Sequence, residues 1–281
     1  MQNFMEICNT GLEEKIRKAI RLLQSVKCDC FEVSYSGGKD SDVILELCKM
    51  AGVNFRIIHK CTTIDPPYTL AHCKNVGAEV LRPKESMFEI IRKHGFPTRR
   101  SRHCCKILKE YKVLPIAVQG IRRAESGKRK ARYKEPIICR IYGSKKNKAQ
   151  IVLPILEWSD ADIKQFIIEN QIKVHPLYYE KGFFDVKERL GCICCPLAAD
   201  NGLSDFKRYP KMVKAWIKAG KIWWDTHPNA KSRKKFQNIY ELFVHNIFFN
   251  KYEDFYNAVN SKITGKIDCK EFIENYFNIK L

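Results

Sequence analysis

The sequence predicts an α/β fold: a parallel sheet with flanking helices over residues 1–200, followed by a basic, aromatic-rich helical extension over residues 201–281. Three observations predict it. Short apolar runs rich in β-branched and aromatic residues alternate with helix-spaced apolar patterns through the first 170 residues, as parallel strands joined by crossover helices require. A glycine pair, Gly37-Gly38, marks the first strand-to-helix turn. Beyond residue 203 the pattern is helical, except for a run inside residues 239–249 that also suits a strand.

Leu12, Ile16, Ile20 and Leu23 recur at helical spacing and predict a helix over residues 11–26. Phe31 to Tyr35 reads as a first strand, and residues 41–51 as a helix stopped by Gly52. Residues 54–61 form a second strand, 62–67 a loop, 68–76 a helix, 78–82 a strand and 86–94 a helix. A short helix over 105–112 leads to a strand over 114–119 that ends at Gly120. Residues 122–148 are basic and poor in apolar periodicity, so a loop or irregular hairpin is expected there. A strand over 150–155 follows, and Ser159 caps a helix over 160–170 with Asp160 and Asp162 in its first turn. The sequence contains neither internal repeat nor low-complexity tract.

At 281 residues and 45% hydrophobic, with 16 Phe and 12 Tyr, the chain can bury a substantial core. Its apolar runs are shorter than a membrane span, and its first residues lack the basic start and apolar stretch of a signal peptide. A cytoplasmic protein with no membrane partner is expected. Thirteen cysteines are too many to ignore. Cys48, Cys61 and Cys139 lie in apolar runs and read as small core residues. The clustered ones suggest metal binding or redox chemistry in a reducing compartment.

The net charge of +20 is uneven. Residues 122–148 carry eleven Lys and Arg against Glu125 and Glu135, and residues 207–235 carry ten against Asp225. The second block is interleaved with Tyr209, Trp216, Trp223 and Trp224. Such blocks suit a polyanion, because neutralising phosphates releases counterions and aromatic faces stack on bases. A lysine-rich solvated surface is the plainer alternative. The tryptophans, with His227, read either as a nucleobase platform or as the means of docking a helical lid. His175, before Pro176, reads as structural.

The turn Ser34-Tyr35-Ser36-Gly37-Gly38-Lys39-Asp40-Ser41 sits between the first strand and its helix. Glycines there let backbone N–H groups approach an anion, and the helix N-terminus adds its positive end. Ser34, Ser36 and Ser41 supply hydroxyls and Lys39 a point charge, whereas the spacing differs from the GxxxxGK[ST] phosphate loop. Asp40 either helps place a magnesium ion or caps the helix. Lys39, Asp40 and Ser41 are the catalytic candidates.

SGGKDS resembles the loop of the N-type ATP pyrophosphatases, which holds the outer phosphates of ATP while the α-phosphorus is attacked. Over roughly residues 25–200 the chain also resembles the phosphoadenosine-phosphosulfate (PAPS) reductase family. Five stretches carry this in order: Thr62-Thr63-Ile64-Asp65-Pro66-Pro67; Gly95-Phe96-Pro97 running to Arg102-His103-Cys104-Cys105-Lys106; Gly120-Ile121-Arg122-Arg123-Ala124-Glu125-Ser126; Leu153-Pro154-Ile155-Leu156-Glu157-Trp158; and Gly191-Cys192-Ile193-Cys194-Cys195-Pro196. The resemblance implies a Rossmann-like sheet of the adenine nucleotide α-hydrolase kind, with ATP and Mg2+ as ligands. It implies that Thr63, Asp65, Gly120, Arg122 and Arg123 border the nucleotide pocket, although an Arg on a solvated loop is the alternative for the last two.

Cys104, Cys105, Cys192 and Cys195 make a set of four soft ligands, which permits zinc or an iron–sulfur cluster. A vicinal pair plus GCxxCP resembles the [4Fe–4S] set of adenylyl-sulfate (APS) reductases and of the ATP pyrophosphatase of DNA phosphorothioation systems, the DndC or SspD kind. Zinc and plain buried thiols are the alternatives, and His103 reads as a surface residue. Cys194 substitutes for a ligand, acts as a redox thiol, or packs. Arg99, Arg100, Arg102, Lys106 and Lys109 around the pair would offset the charge of a cluster.

The chain departs from sulfonucleotide reductases in two ways. It keeps Lys39 in a complete SGGKDS loop, and its last cysteine, Cys269, sits in a helical pattern rather than in a mobile tail motif. These features imply ATP cleavage coupled to sulfur transfer, with a cysteine desulfurase as sulfur donor and a nucleic acid, DNA before RNA, as acceptor. An APS or PAPS reductase, a tRNA thiolation enzyme and a non-catalytic, nucleotide-gated DNA-binding module are the competing readings.

Overall fold

The computed structural model describes residues 2–142, 147–261 and 265–281, with residues 2–10 described by backbone alone. Along the chain run α1 (Gln2–Ser25), β1 (Phe31–Ser34), α2 (Lys39–Met50), β2 (Phe55–Lys60), α3 (Thr69–Asn75), β3 (Glu79–Leu81), α4 (Met87–His94), α5 (His103–Leu108), β4 (Ile116–Val118), α6 (Gly127–Arg132), β5 (Ile137–Ile141), β6 (Lys148–Val152) and α7 (Asp160–Glu169). The remainder comprises α8 (Leu203–Arg208), α9 (Pro210–Thr226), α10 (Ile239–Phe248), α11 (Tyr252–Val259), β7 (Asn260–Ser261), β8 (Gly265–Lys266) and α12 (Cys269–Phe277).

The fold is Rossmann-like, with six strands in the order β3-β2-β1-β4-β6-β5, all parallel except β5. Phe31 and Val33 of β1 are buried among Val43, Leu47, Phe166 and Leu23, the apolar faces that α2, α7 and α1 turn to the sheet. Lys15 of α1 reaches the Asp162 carboxylate at 2.6 Å. Strand order reverses at β1, with β2 on one side and β4 on the other, and crossovers at such a point leave a crevice beyond the strand C-termini. The turns after β1 and β4 face that crevice. The sheet therefore places SGGKDS and Gly120-Ile121-Arg122 together although eighty residues separate them in sequence.

Local chemistry explains several boundaries. Ser159 caps α7 as expected: its hydroxyl accepts the Asp162 N–H at 3.2 Å and the Asp162 carboxylate accepts the Ser159 N–H at 2.6 Å. Ser86 and Glu89 make the same reciprocal cap on α4. β4 is shorter than the expected 114–119, because the buried Glu32 carboxylate takes the N–H groups of Val113 and Leu114 at 3.2 and 3.1 Å.

Two compact units emerge from the contacts. One comprises residues 1–61, 65–82 and 110–191; the other comprises 62–64, 83–109 and 192–281. This division differs from a single break at residue 200: the helical unit also takes in α4, α5 and the stretch holding the Cys-Cys pair. Its core is aromatic, with Phe206 set edge-on to Trp216 and Phe243 at ring distances of 5.6 and 5.3 Å.

Two ambiguities are resolved. Of the two alternatives for the basic stretch the hairpin holds and the plain loop does not: after a 3-10 turn and α6, β5 pairs antiparallel with β6 from Ile137 opposite Val152 to Ile141 opposite Lys148. Residues 143–146 of that basic block lie outside the described residues. The run within 239–249 is helix α10, and the C-terminal strands are instead the two-residue pair β7 and β8. Leu242, Phe243 and Ile247 share one buried face of α10, so tertiary packing settles an apolar run that periodicity left ambiguous.

Candidate nucleotide site and cysteine cluster

The turn after β1 begins with Gly37 at φ +79°, where an added Cβ would lie 3.2 Å from the Thr69 methyl. Left-handed backbone and a crowded neighbour both select glycine there. Gly38 precedes α2 as its N-cap without a side-chain hydrogen bond. The Ser41 hydroxyl donates to the Gly38 carbonyl at 2.6 Å, and Ser36 Oγ is 3.4 Å from Ser41 Oγ. The Lys39 N–H donates to the Tyr178 hydroxyl at 3.0 Å. The Lys39 ammonium, 6% exposed, lies 3.2 Å from Asp40 Oδ2, 3.5 Å from the Glu188 carbonyl and 5.4 Å from the centre of the Tyr178 ring.

Arg122 arrives from the turn after β4. Gly120 makes this approach possible, since a Cβ there would fall 2.8 Å from the Asp40 carbonyl oxygen. Arg122 is 1% exposed; its Nε meets Asp40 Oδ1 at 2.6 Å and its Nη2 meets Asp160 Oδ1 at 2.8 Å. Asp40 is thus held between Lys39 and Arg122 rather than used as the helix cap, and Arg122 is no solvated loop residue. Arg129 of α6 joins them: burial lowers its pKa first, and the charges of Arg189 and Arg122 lower it further, against Asp40. Lys39 and Arg122 therefore close on the Asp40 carboxylate at the sheet's switch point, while Arg129, itself paired with Glu125, feels the charges of Arg122, Arg189 and Asp40. Sequence reasoning missed Arg129 and Arg189, which sit among many basic residues with nothing in their spacing to single them out.

Not every expected residue joins this group. Ser34 donates its hydroxyl to Glu32 at 3.1 Å. Arg123 staples the basic segment through the Tyr133 carbonyl at 2.7 Å, the Lys134 carbonyl and Glu157. Thr63 belongs to the helical unit, where its hydroxyl accepts the Met87 N–H at 2.9 Å. Asp65 stays in the sheet unit, 3.8 Å from the buried His59 ring.

Behind the turn lies a buried polar layer. The Tyr35 hydroxyl meets the Asp42 carboxylate, and both contact the His72 Nε2, at 2.9 and 3.0 Å. Burial raises the Asp42 pKa against the pull of His72, and burial also raises Tyr35. His175 supports this layer, with Nε2 3.3 Å from the Thr69 hydroxyl and Nδ1 accepting the Leu177 N–H at 3.1 Å. Its expected structural role agrees with this position.

Cys104, Cys105, Cys192 and Cys195 all fall in the helical unit. The Cys104–Cys105 hydrogen bond is the main cause raising Cys104, with burial and then the sulfurs of Cys105, Cys192 and Cys195 adding. The same bond pulls Cys105 down to about 6, with Arg102 and Lys109 helping against burial. Burial chiefly raises Cys195, and Cys192 and Cys105 add to it. Four thiols that influence one another's ionisation, with two cations beside one of them, supply the donor type that an iron–sulfur cluster uses. Among the described residues no group of three or more His, Cys, Asp and Glu is arranged to hold a metal ion. Of the other expected cations, Arg99 bonds instead to Asn201 at 2.7 Å and to the Ala198 and Ala199 carbonyls. His103 is half-buried, and burial lowers its pKa. Cys194 is buried at φ +58°, its N–H donates to Asp205 at 2.8 Å, and burial raises its thiol, so it packs. Cys269 is 4% exposed, and burial pushes its thiol up to about 12.

Trp216 and Trp224 are buried in the helical core. Trp223 lies against Gly95, where a Cβ would fall 2.9 Å from the indole, and stacks on His227 at 5.6 Å. Its ring is engaged on both counts, so these tryptophans dock helices rather than offer a base platform.

Residues 31–198, more than half of the chain, match the model of the phosphoadenosine phosphosulfate reductase domain. The chain belongs to this family. Its members are enzymes acting on nucleotides. Three solved structures similar to the chain are distant from it. A PAPS reductase of Candida auris in its phosphate complex shows 17% identity and a TM-score of 0.43, covering 64% of this chain and 93% of that one. The Candida glabrata FMN adenylyltransferase shows 17% and 0.43, with 66% of this chain covered and 62% of the other, so the chain spans less than two thirds of that enzyme. The U34-tRNA thiolase NcsA of Methanococcus maripaludis with its [4Fe–4S] cluster shows 13% and 0.45, covering 78% and 80%. No curated protein sequence matches the chain. No helix among the described residues is long and apolar enough to cross a membrane.

Proposed function

We propose that this chain is an ATP pyrophosphatase that activates a nucleic-acid acceptor for sulfur transfer, with the DNA backbone as acceptor. One observation carries the reading: Lys39 and Arg122 meet on Asp40 at the turn after β1, where a helix N-terminus adds its positive end, and Arg129 lies within electrostatic reach of them. Cleavage at the α-phosphorus builds negative charge on the departing pyrophosphate, and cations already in place stabilise that charge without reorganising. Arg122 holds Asp40, so the Lys39 ammonium exchanges a carboxylate for phosphate oxygens when ATP enters. Tyr178 gives up the Lys39 N–H to the same ligand. Mg2+, when bound, offsets charge on the phosphates.

An acceptor oxygen then attacks the α-phosphorus, a P–O bond forms, and pyrophosphate leaves. Sulfur donated as persulfide by a cysteine desulfurase and released to the sulfide level by a second thiol displaces AMP, which carries the acceptor oxygen away. Cys104, Cys105, Cys192 and Cys195 would hold a [4Fe–4S] cluster, one thiolate to each iron, which would supply electron-transfer chemistry. The buried Cys269 argues against the reductase reading, which needs an accessible thiol near the C-terminus to attack the substrate. The test is anaerobic incubation with ATP, duplex DNA and a cysteine desulfurase, with nuclease digestion and mass spectrometry for phosphorothioate dinucleotides. Sulfite released from APS or PAPS with thioredoxin, and no phosphorothioate, contradicts the proposal.

A further inference from the structure

Helix α9 carries a feature that the nucleotide site does not use. Val213, Trp216, Ile217, Ala219, Gly220 and Trp224 are buried on one face. On the opposite face Lys211, Lys214, Lys218 and Lys221 are all exposed. Their spacings of three, four and three residues keep them in one nearly straight row, since the helix repeats every 3.6 residues. Like charges three and four apart repel and weaken a helix, yet the sole acidic residue of the basic block 207–235 is Asp225 near the helix end. Lys221 lies 5.8 Å from the Tyr240 ring centre, a contact that leaves its charge uncompensated.

The row is ten residues long, about 15 Å at 1.5 Å per residue. Duplex DNA carries one negative charge per about 1.7 Å of its axis, so a row of cations about 15 Å long meets a dense band of phosphates. A rigid row of four cations matches a rigid duplex better than a flexible single strand, whose phosphates must be ordered first. We infer that the Lys211–Lys214–Lys218–Lys221 face of α9 is a docking surface for the sugar-phosphate backbone of duplex DNA. This inference rests on the proposed nucleic-acid acceptor and names the surface that would hold it. It calls for no base contact, and the engaged Trp223 agrees with that.

The test is fluorescence anisotropy with a labelled duplex of about twenty base pairs over a range of salt, where affinity falls with salt in proportion to the phosphates neutralised. Replacing all four lysines with glutamine should weaken binding at least about tenfold and flatten the log K against log salt slope by about 3. The Lys→Arg quadruple keeps the charge and should bind like the wild type. An equal loss of charge elsewhere, through Arg17→Gln, Arg21→Gln, Lys27→Gln and Lys173→Gln, should change the slope little. Circular dichroism of each variant checks that the helix survives. The inference is overturned if the control quadruple weakens binding as much, if the α9 variant binds undiminished, or if the row supports tRNA or single-stranded DNA but not the duplex. ATP cleavage in the presence of the duplex is measured on the same preparations. A wild type that binds duplex through α9 and leaves ATP intact defeats the proposed chemistry while sustaining the docking surface.

Discussion

In the turn after β1, Lys39, Asp40 and Arg122 hold one another through opposite charges, and Tyr178 occupies the Lys39 N–H. In the cysteine cluster, Cys104 donates to the sulfur beside it, and the sulfurs of Cys105, Cys192 and Cys195 all oppose its ionisation. The first group is balanced before any ligand arrives, and a polyphosphate needs only to exchange partners with it. The second is four groups of one prospective charge, balanced only when a cationic centre binds and the thiols give up their protons. The nucleotide turn should therefore survive ligand removal, whereas the cysteine set is the part of the proposal whose order would depend on a bound cluster.

The largest effect that would sharpen this contrast comes from Lys39. Lys39→Ala should reduce ATP turnover by about 100-fold or more while leaving the fold intact, as loss of a preorganised charge-stabilising group does. Steady-state AMP release and a thermal melt of the same sample check it. Arg122→Met comes next. It leaves Asp40 without its closest partner, and removing one member of a buried pair costs about 3 kcal/mol. Denaturant unfolding reads the loss, and an unchanged midpoint breaks the claim that Arg122 holds Asp40. Gly120→Ala should cost about 1–3 kcal/mol through overpacking against the Asp40 carbonyl and should weaken nucleotide binding in calorimetry. For the other half of the comparison, Cys192→Ser should remove the visible absorbance and the iron of anaerobically purified protein, yet leave ATP affinity within about twofold. The smallest effect is on acid stability. Burial holds the His175 pKa below its ordinary 6.5, so its neutral form favours the fold above that pH. The unfolded chain takes up the proton first as pH falls, and this stabilisation is lost as the pH drops through the lowered folded value. The melting temperature should fall by a few degrees from neutral pH to about 5, and His175→Gln should flatten the curve.

Much of the sheet unit was legible because its signals are local. SGGKDS, Gly52, Gly120 and the Ser159 cap each mark a boundary through the chemistry of one or two residues. The parallel sheet followed from alternation of strand and helix alone, whereas the meeting of the turns after β1 and β4 depends on a strand order that alternation does not give. What stayed hidden depends on contacts distant in sequence. Arg129 and Arg189 become part of the charged group only after α6 and the stretch beyond Tyr178 fold back, and nothing near them in the sequence says so. Ser34 looked like a third hydroxyl of the turn, but the buried Glu32 claims it. β5 is an edge strand with weak alternation in a basic stretch, which is why the sequence left loop and irregular hairpin open there. The run at 239–249 is apolar enough for strand or helix, and only its packing against Phe206 and Phe277 selects helix.

The central claim is that ATP is broken between its α- and β-phosphates by the groups around Lys39. Phosphorus NMR of the products from the anaerobic protein with ATP, Mg2+ and duplex DNA tests it most directly. The account predicts AMP and pyrophosphate in equal amounts, lost together in Lys39→Ala. ADP with inorganic phosphate, or AMP and pyrophosphate formed as fast by the variant, would contradict it.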